Sequence, residues 1–147
     1  MPDIRTEALI PAPPDTVWAV LADFERYGDW NPLNLSAHGA ATVGAKVRMV
    51  FRDLSSAKDG ATISQTVTIA AAAPGRELAW TGHVPLLFRG RHGFLLTPKD
   101  GGTHVLHTEL LSGLITAGWS AARIARDFVP HYEAVNRALA ARVAAVS

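Results

Sequence analysis

Hydrophobic residues near the start of the chain fit one strand followed by two short helices. Residues 4–10 predict the first strand, and a proline-rich break after them opens a helix, because proline suits a helical first turn. Val17, Val20 and Leu21 have the i, i+3, i+4 spacing of one apolar helix face. A second short helix is predicted from Phe24 to Trp30, where an Asn-Pro pair ends it.

Further along the chain, polar and apolar residues alternate, which is typical of strands with one face in water. The predicted strands are residues 46–52, 62–69, 76–83, 87–97 and 103–112. Pro74 and Gly75 predict a turn, and residues 98–102 predict a hairpin connection between the last two strands. This segment therefore predicts a run of antiparallel strands.

The C-terminal segment returns to helical spacing. Its apolar stripe extends over about six turns and consists of Ile124, Phe128, Tyr132, Val135, Leu139, Val143 and Val146. Pro130 interrupts the stripe and predicts a kink near residues 126–130. Because an apolar sheet face must be covered, and only this helix is long enough, we predict an α+β fold. In it a curved antiparallel sheet wraps around the long C-terminal helix and encloses a cavity, with two short helices between the first and second strands.

Composition indicates a globular protein and removes several classes of function. The 147 residues fit a single domain, residues 1–147, and 48% of them are hydrophobic. The formal net charge is only +1, which gives no electrostatic attraction for nucleic acid. The chain has no cysteine, which excludes disulfides, thiolate catalysis and cysteine-bound zinc.

The sequence also contains no recognisable targeting or cofactor motif. The first seven residues lack the apolar run of a secretory signal, and no apolar stretch approaches the roughly 20 residues that span a membrane. We therefore expect a cytoplasmic protein without a membrane span, either a monomer or a homodimer. Neither a phosphate-binding loop nor a nucleophile elbow is present, and we expect no cofactor.

The predicted hairpin of residues 87–113 contains the chain's densest group of chemically active side chains. If a four-residue loop joins its strands, His92 lies opposite Glu109, and Phe94 lies opposite His107. Side chains in directly opposed positions have Cβ atoms about 4.5–5.5 Å apart, so we expect a hydrogen bond between His92 and Glu109. The same register turns His92, His107 and Glu109 towards the cavity, among apolar side chains. The candidate ligand-binding residues are Trp80, Phe88, His92, Phe94, His107, Glu109, Leu111 and Phe128.

Several interpretations of the polar group His92, His107 and Glu109 are open at this stage. Buried polar side chains must pair with one another, so the group can be a structural part of the core. Alternatively it forms the polar end of an apolar pocket, where it orients a ligand hydroxyl or carbonyl. As catalytic candidates, the same three residues can serve as general acid and base. Two histidines and a carboxylate are also the ligand types of a metal triad, although we expect no metal here.

Segments at both ends of the chain resemble the START-like (SRPBCC) superfamily, which includes polyketide cyclases, lipid-transfer domains and the major birch-pollen allergen. The similar positions are residues 10–18, Asp23, Tyr27, residues 30–32, residues 87–94 and residues 107–113. The last two blocks resemble small bacterial single-domain members, and the resemblance covers essentially the whole chain. It implies a helix-grip fold. An acidic residue often precedes the first histidine in this family, but Arg91 stands there, so the role of that acid does not carry over.

The resemblance and the hairpin together favour a small-molecule binding protein over an enzyme. The expected ligand is a lipid, an isoprenoid or an aromatic polyketide-like compound, with its polar end at His92, His107 and Glu109. A cyclase or dehydratase that uses these residues as acid and base is the second hypothesis. A regulatory or interaction domain whose cavity is filled by its own side chains is the third.

Overall fold

The computed structural model of the protein describes residues 3–147, so Met1 and Pro2, at the start of the predicted domain, lie outside the described residues. The strands are β1 (Asp3–Ile10), β2 (Asn34–His38), β3 (Lys46–Arg52), β4 (Thr62–Ala73), β5 (Glu77–Val84), β6 (Phe88–Lys99) and β7 (Gly102–Ser112). They form one antiparallel sheet in the order β1-β7-β6-β5-β4-β3-β2. The predicted α+β fold, with a curved sheet around the C-terminal helix, is confirmed.

Three α-helices and two short 3₁₀ helices complete the fold. The α-helices are α1 (Pro14–Ala22), α2 (Ala121–Asp127) and α3 (Val129–Val146), and the 3₁₀ helices are Phe24–Asp29 and Leu114–Thr116. Helix α1 begins at a proline and has Asp15 in its first turn, where a negative charge suits the helix dipole. Both helices predicted between the first two strands are present, and the second is a 3₁₀ helix. None of the helices in residues 3–147 is long and apolar enough to cross a membrane.

The C-terminal helix differs from the prediction of a single kinked helix. It is divided at Phe128 into α2 and α3, and Pro130 lies in the first turn of α3. Proline has no N–H to donate to the preceding turn, but in a first turn no such bond is needed. The helix therefore starts again at this point instead of bending. Val146, predicted in the buried stripe, is 53% exposed at the end of α3.

Strand β2 was not predicted from the sequence. Its burial does not alternate, since Asn34 is buried while Ser36 is half-buried, and its pairing with β3 is irregular between these two residues. Such a bulge removes the two-residue period by which a strand is recognised. Strand β4 is also longer than predicted and continues through a run of alanines to Ala73.

The core lies between the concave face of the sheet and helices α1 and α3. Val135, Leu139 and Val143 of α3 are essentially fully buried, and so are Ile4 of β1 and Val105 of β7. The hairpin register is the predicted one, with His92 paired to Glu109 and Phe94 paired to His107. The polar residues of β6 and β7 therefore lie on the concave face, next to α3.

Candidate functional site

A cavity of about 300 Å³ lies between the sheet and the start of the C-terminal helices. Most of its lining is apolar and comes from strands β3 to β7, from the segment 115–119 and from Phe128 and Tyr132. Ile63, Val84 and Leu87 lie on its lining and are each more than 40% exposed, so they mark its mouth. A compact apolar chamber with an apolar mouth is typical of a small-molecule site.

Most of the predicted ligand-binding residues lie on this lining. The lining includes Trp80, Phe88, His92, Glu109, Leu111 and Phe128. Phe94 and His107 were predicted to face the cavity, and this was wrong, because they lie behind the lining with exposed fractions of 2% and 0%. Helix α3 covers His107, since the Tyr132 ring lies against its ring, tilted by 38° with centroids 5.0 Å apart, and Asn136 contacts its Nδ1. Whether the lining residues bind a ligand remains a prediction.

His92 lies between aromatic rings at the inner end of the cavity. Its ring stacks on Trp80, with centroids 4.7 Å apart and planes inclined by 10°, and on Tyr132 from the other side at 5.5 Å. Its Nε2 is 2.6 Å from Nε2 of His107. The predicted hydrogen bond to Glu109 is wrong, because His92 Nδ1 lies 3.5 Å from Glu109 Oε1 while the ring is turned towards His107.

A chain of hydrogen bonds continues from His92 into the core. His107 Nδ1 lies 2.9 Å from Asn136 Oδ1, and Asn136 Nδ2 donates to Thr6 Oγ1 at 2.9 Å. The Thr6 hydroxyl donates in turn to the backbone carbonyl of His107 at 3.3 Å. Sequence analysis did not identify Thr6 or Asn136 as part of the site. The available signal was a polar residue four positions after Tyr132, on the buried side of a helix.

Burial keeps His107 uncharged. It holds the pKa of the ring well below the usual histidine value of 6.5, and the neighbouring His92 lowers this pKa further. Bonds from Asn136 and from the backbone of Tyr132 oppose the shift but are weaker influences. His107 is therefore an uncharged member of this chain of hydrogen bonds.

We expect the protein to lose stability as the pH falls below about 6.5, because unfolded His107 takes up a proton that the folded ring refuses. His107 makes the free energy of unfolding rise with pH by at most about 1.4 kcal/mol per pH unit. This rise ends near pH 6.5, and above that pH His107 has no further effect. Urea unfolding between pH 7.5 and 5 measures the slope. A smaller slope is expected in His107→Phe, and an unchanged one in His83→Phe, where the ring is exposed. An unchanged slope in His107→Phe contradicts the assignment.

Glu109 lies on the cavity lining, and one of its two carboxylate oxygens is unpaired. Its Oε1 accepts from the Tyr132 hydroxyl at 3.4 Å, whereas its Oε2 is buried and has no partner among the described residues. Burial, and secondarily the charge of Glu109, raises the pKa of Tyr132 well above that of free tyrosine. Tyr132 consequently stays protonated and remains a donor. A buried acceptor without a partner is costly, so a ligand donor that reaches Oε2 removes that cost.

The polar side chains are not arranged as a metal site. Within the part of the chain that the structure describes, no group of three histidine or acidic side chains is placed to hold a metal ion. His92 and His107 direct their Nε2 atoms at each other, and the second ring nitrogen of His107 faces Asn136. Three of the four ring nitrogens of these histidines are thus engaged with protein partners.

The other polar residues of the lining are Gln65, on β4, and Arg52, Asp53, Ser55 and Ser64. Gln65 is the one that packs against the neighbouring strand β5. It lies against Gly82 of β5, where a Cβ atom would come within 2.7 Å of Gln65 Oε1. Gly82 therefore leaves room for the Gln65 side chain to lie flat beside the cavity. The structure thus places Gln65 on the cavity wall, on the same strand as the apolar residue Val67 of the lining.

Solved structures with the same fold come from proteins of low sequence identity. A START superfamily protein from Mycobacterium smegmatis has a TM-score of 0.78 at 14% identity, over 99% of both chains. TTHA0849 from Thermus thermophilus has a TM-score of 0.76 at 21% identity, also over 99% of both. DynU16, from the dynemicin biosynthetic locus, has a TM-score of 0.70 at 20% identity, over 99% of this chain and 48% of that one.

Comparison of the amino-acid sequence with models of protein families identifies the family of this protein. No curated protein matches the chain by sequence. The model described as polyketide cyclase / dehydrase and lipid transport matches residues 1–144. This match shows that the chain belongs to the polyketide cyclase / dehydrase and lipid transport family.

Proposed function

We propose that the protein binds one small, mainly apolar molecule in the cavity, with a polar group of that molecule at Glu109 and His92. The observation that carries this proposal is the mainly apolar cavity, whose lining brings His92 and Glu109 together with aromatic side chains. Ligand sites combine these two features, since apolar walls supply affinity and a few polar groups fix the orientation.

The size of the cavity favours a compact ligand. Its volume of about 300 Å³ is at the lower end of the range of about 300–1,000 Å³ in which small-molecule pockets lie. Aromatic rings form much of the wall, with Trp80, Phe88 and Phe128 among them. A ring system fits this chamber better than a lipid with two long chains. An aromatic polyketide-like compound or an isoprenoid agrees with this and with the description of the family.

Gln65→Trp is expected to block the cavity, because the larger ring must occupy the space beside Gly82 or enter the chamber. Thr66→Trp is the matched control, since Thr66 is the next residue on the same strand and is exposed. Native mass spectrometry of the protein purified from its own cells identifies a bound compound, and calorimetry then measures its affinity. We expect Gln65→Trp to lose binding and Thr66→Trp to retain it. Equal binding by both variants, at normal stability, places the ligand elsewhere.

A second candidate function is acid–base catalysis of the cyclase or dehydratase type. One observation favours it: an imidazole, His92, and a carboxylate, Glu109, lie together on the cavity lining, with His92 Nδ1 3.5 Å from Glu109 Oε1. Incubation of the identified ligand with the protein, followed by mass analysis, detects conversion. In an enzyme Glu109→Gln loses turnover while binding is largely kept, whereas in a binder it loses only affinity.

A further inference from the structure

We infer that Gly82 and Gly90 determine which ligand shapes the cavity accepts, and that they select a flat, fused aromatic ring system over a saturated ring system or a flexible chain. This inference rests on the proposed function, because it names the shape of the ligand that the same cavity binds. Both glycines lie on the cavity lining, on the adjacent strands β5 and β6, and they are paired directly with each other.

The pairing of β5 with β6 arranges this part of the cavity wall in three rows of opposed residues, all of which lie on the lining. The rows are Trp80 with His92 at the inner end, Gly82 with Gly90 in the middle, and Val84 with Phe88 next to the mouth. Each residue of a strand rises by about 3.3–3.4 Å, so the inner and outer rows are about 13 Å apart. Between them runs a strip, formed by Gly82 and Gly90, from which no side chain projects.

The ends of two flat side chains, Gln65 and Phe88, lie in the space that Cβ atoms on this strip would occupy. A Cβ atom on Gly82 would lie 2.7, 2.8 and 2.9 Å from Oε1, Nε2 and Cδ of Gln65, and these nearly equal distances mean that the amide plane faces the strand. A Cβ atom on Gly90 would lie 2.8 Å from Cζ of Phe88, so the end of that ring reaches over the backbone. The two glycines therefore let both side chains lie back against the sheet, which keeps the middle of the wall level.

The helical side of the chamber brings aromatic rings to the lining, namely those of Trp119, Phe128 and Tyr132. The chamber is therefore a slot between these rings and the level strip of the sheet. A flat ring system fits such a slot and gains stacking contacts in addition to apolar burial. A saturated ring system of the same outline is thicker, because its hydrogens project above and below the carbon framework. A flexible chain is thin enough, but it loses conformational freedom when it is held in the slot.

Three alcohols with the same number of carbon atoms test the selection by calorimetry: 2-naphthol, decahydro-2-naphthol and 1-decanol. We expect 2-naphthol to bind the unmodified protein at least about 5-fold more tightly than the other two. Apolar burial alone would favour the two saturated probes, which have the larger apolar surface. A smaller preference, or tighter binding of a saturated probe, overturns the inference and leaves the proposed function standing. If neither these probes nor a wider panel of apolar compounds binds, the proposed function fails and the inference fails with it.

Gly82→Ala and Gly90→Ala test the two glycines themselves. Neither glycine has a positive φ, and the added methyl group meets the end of a side chain and not the backbone. We therefore expect the strands to stay paired while Gln65 or Phe88 is pushed into the slot, so that the affinity for 2-naphthol falls by roughly 5-fold or more. An unchanged affinity in either folded variant overturns the inference.

Gly93→Ala is the matched control for both variants. Gly93 lies on β6 but on the opposite face from His92, and a Cβ atom there would have its nearest neighbour at 3.4 Å, which is an ordinary contact. The affinity for 2-naphthol should be unchanged in Gly93→Ala. A loss equal to that of Gly90→Ala would mean that any alanine in β6 disturbs the sheet, and it would overturn the inference.

A double variant separates narrowing of the slot from damage to the sheet. Gln65→Ala removes the amide that the methyl group of Gly82→Ala displaces, so the double variant should bind 2-naphthol more tightly than Gly82→Ala alone. Binding as weak as in Gly82→Ala would mean that the displaced amide does not narrow the slot, and it would overturn the inference. If the glycine variants do not fold, the comparison of the three alcohols on the unmodified protein decides alone.

Discussion

Replacement of Phe94 with alanine is expected to lower the free energy of unfolding by about 3–5 kcal/mol. The Phe94 ring is 2% exposed and stacks on His107, with centroids 4.2 Å apart and planes inclined by 17°. It also contacts Trp80 and His92, with centroids 6.1 Å and 5.5 Å away. Its removal leaves a void behind the cavity wall and withdraws support from the two rings that form the inner end of the site.

Leu95→Ala is the matched control for Phe94→Ala. Leu95 is the next residue on β6, but its side chain lies on the outer face and is 44% exposed. We expect its loss to cost below about 1 kcal/mol. Urea unfolding of both variants, at a pH above 7 where His107 makes no contribution, gives the comparison. A cost below about 1 kcal/mol for Phe94→Ala would show that the core collapses into the void or that this ring is not packed as described.

The second large effect is expected at Asn136. Asn136→Leu removes the acceptor of His107 Nδ1 and the donor to Thr6 Oγ1, and leucine, which is of similar size, offers neither group a partner. Each buried group left without a partner costs about 1–3 kcal/mol, so the loss of two partners should cost the variant about 2–6 kcal/mol. Arg137→Leu, at the next and exposed position, should stay within about 0.5 kcal/mol of the original protein.

A double-mutant cycle separates the chain of hydrogen bonds from simple packing. Thr6→Val removes the partner of Asn136 Nδ2, so its cost overlaps with that of Asn136→Leu. We expect the double variant to be more stable than the sum of the single losses predicts, by about 0.5–3 kcal/mol. Additive losses in the free energy of unfolding would mean that Thr6 and Asn136 contribute independently. The chain of hydrogen bonds would then not act as one unit.

The sequence was sufficient for the hairpin that carries the site. A short loop and an unbroken two-residue period leave one register for β6 and β7, and this register pairs His92 with Glu109. Register fixes where Cβ atoms lie, but it does not fix how a ring turns about its χ angles. The choice of His107 over Glu109 as the hydrogen-bond partner of His92 therefore could not be obtained from strand pairing.

What the sequence could not supply were contacts between distant elements. Asn136 and Thr6 are 130 residues apart, and neither belongs to the hairpin in which candidate chemistry was sought. The depth of His107 depends on where α3 crosses the sheet, which a helical period alone does not determine. The break at Phe128 was half predicted, since Pro130 located the irregularity but not the separation into two helices.

The pairing of β1 with β7 has a consequence for synthesis of the chain on the ribosome. Strand β1 is made first, yet its partner is the last strand of the sheet, and Thr6 bonds to His107 across 101 residues. Closing a loop of this length is a slow event in folding. Until β7 has emerged, the nascent chain therefore carries β1 without its partner, and the face of β1 that holds Ile4 and Ile10 has no strand beside it to help bury it.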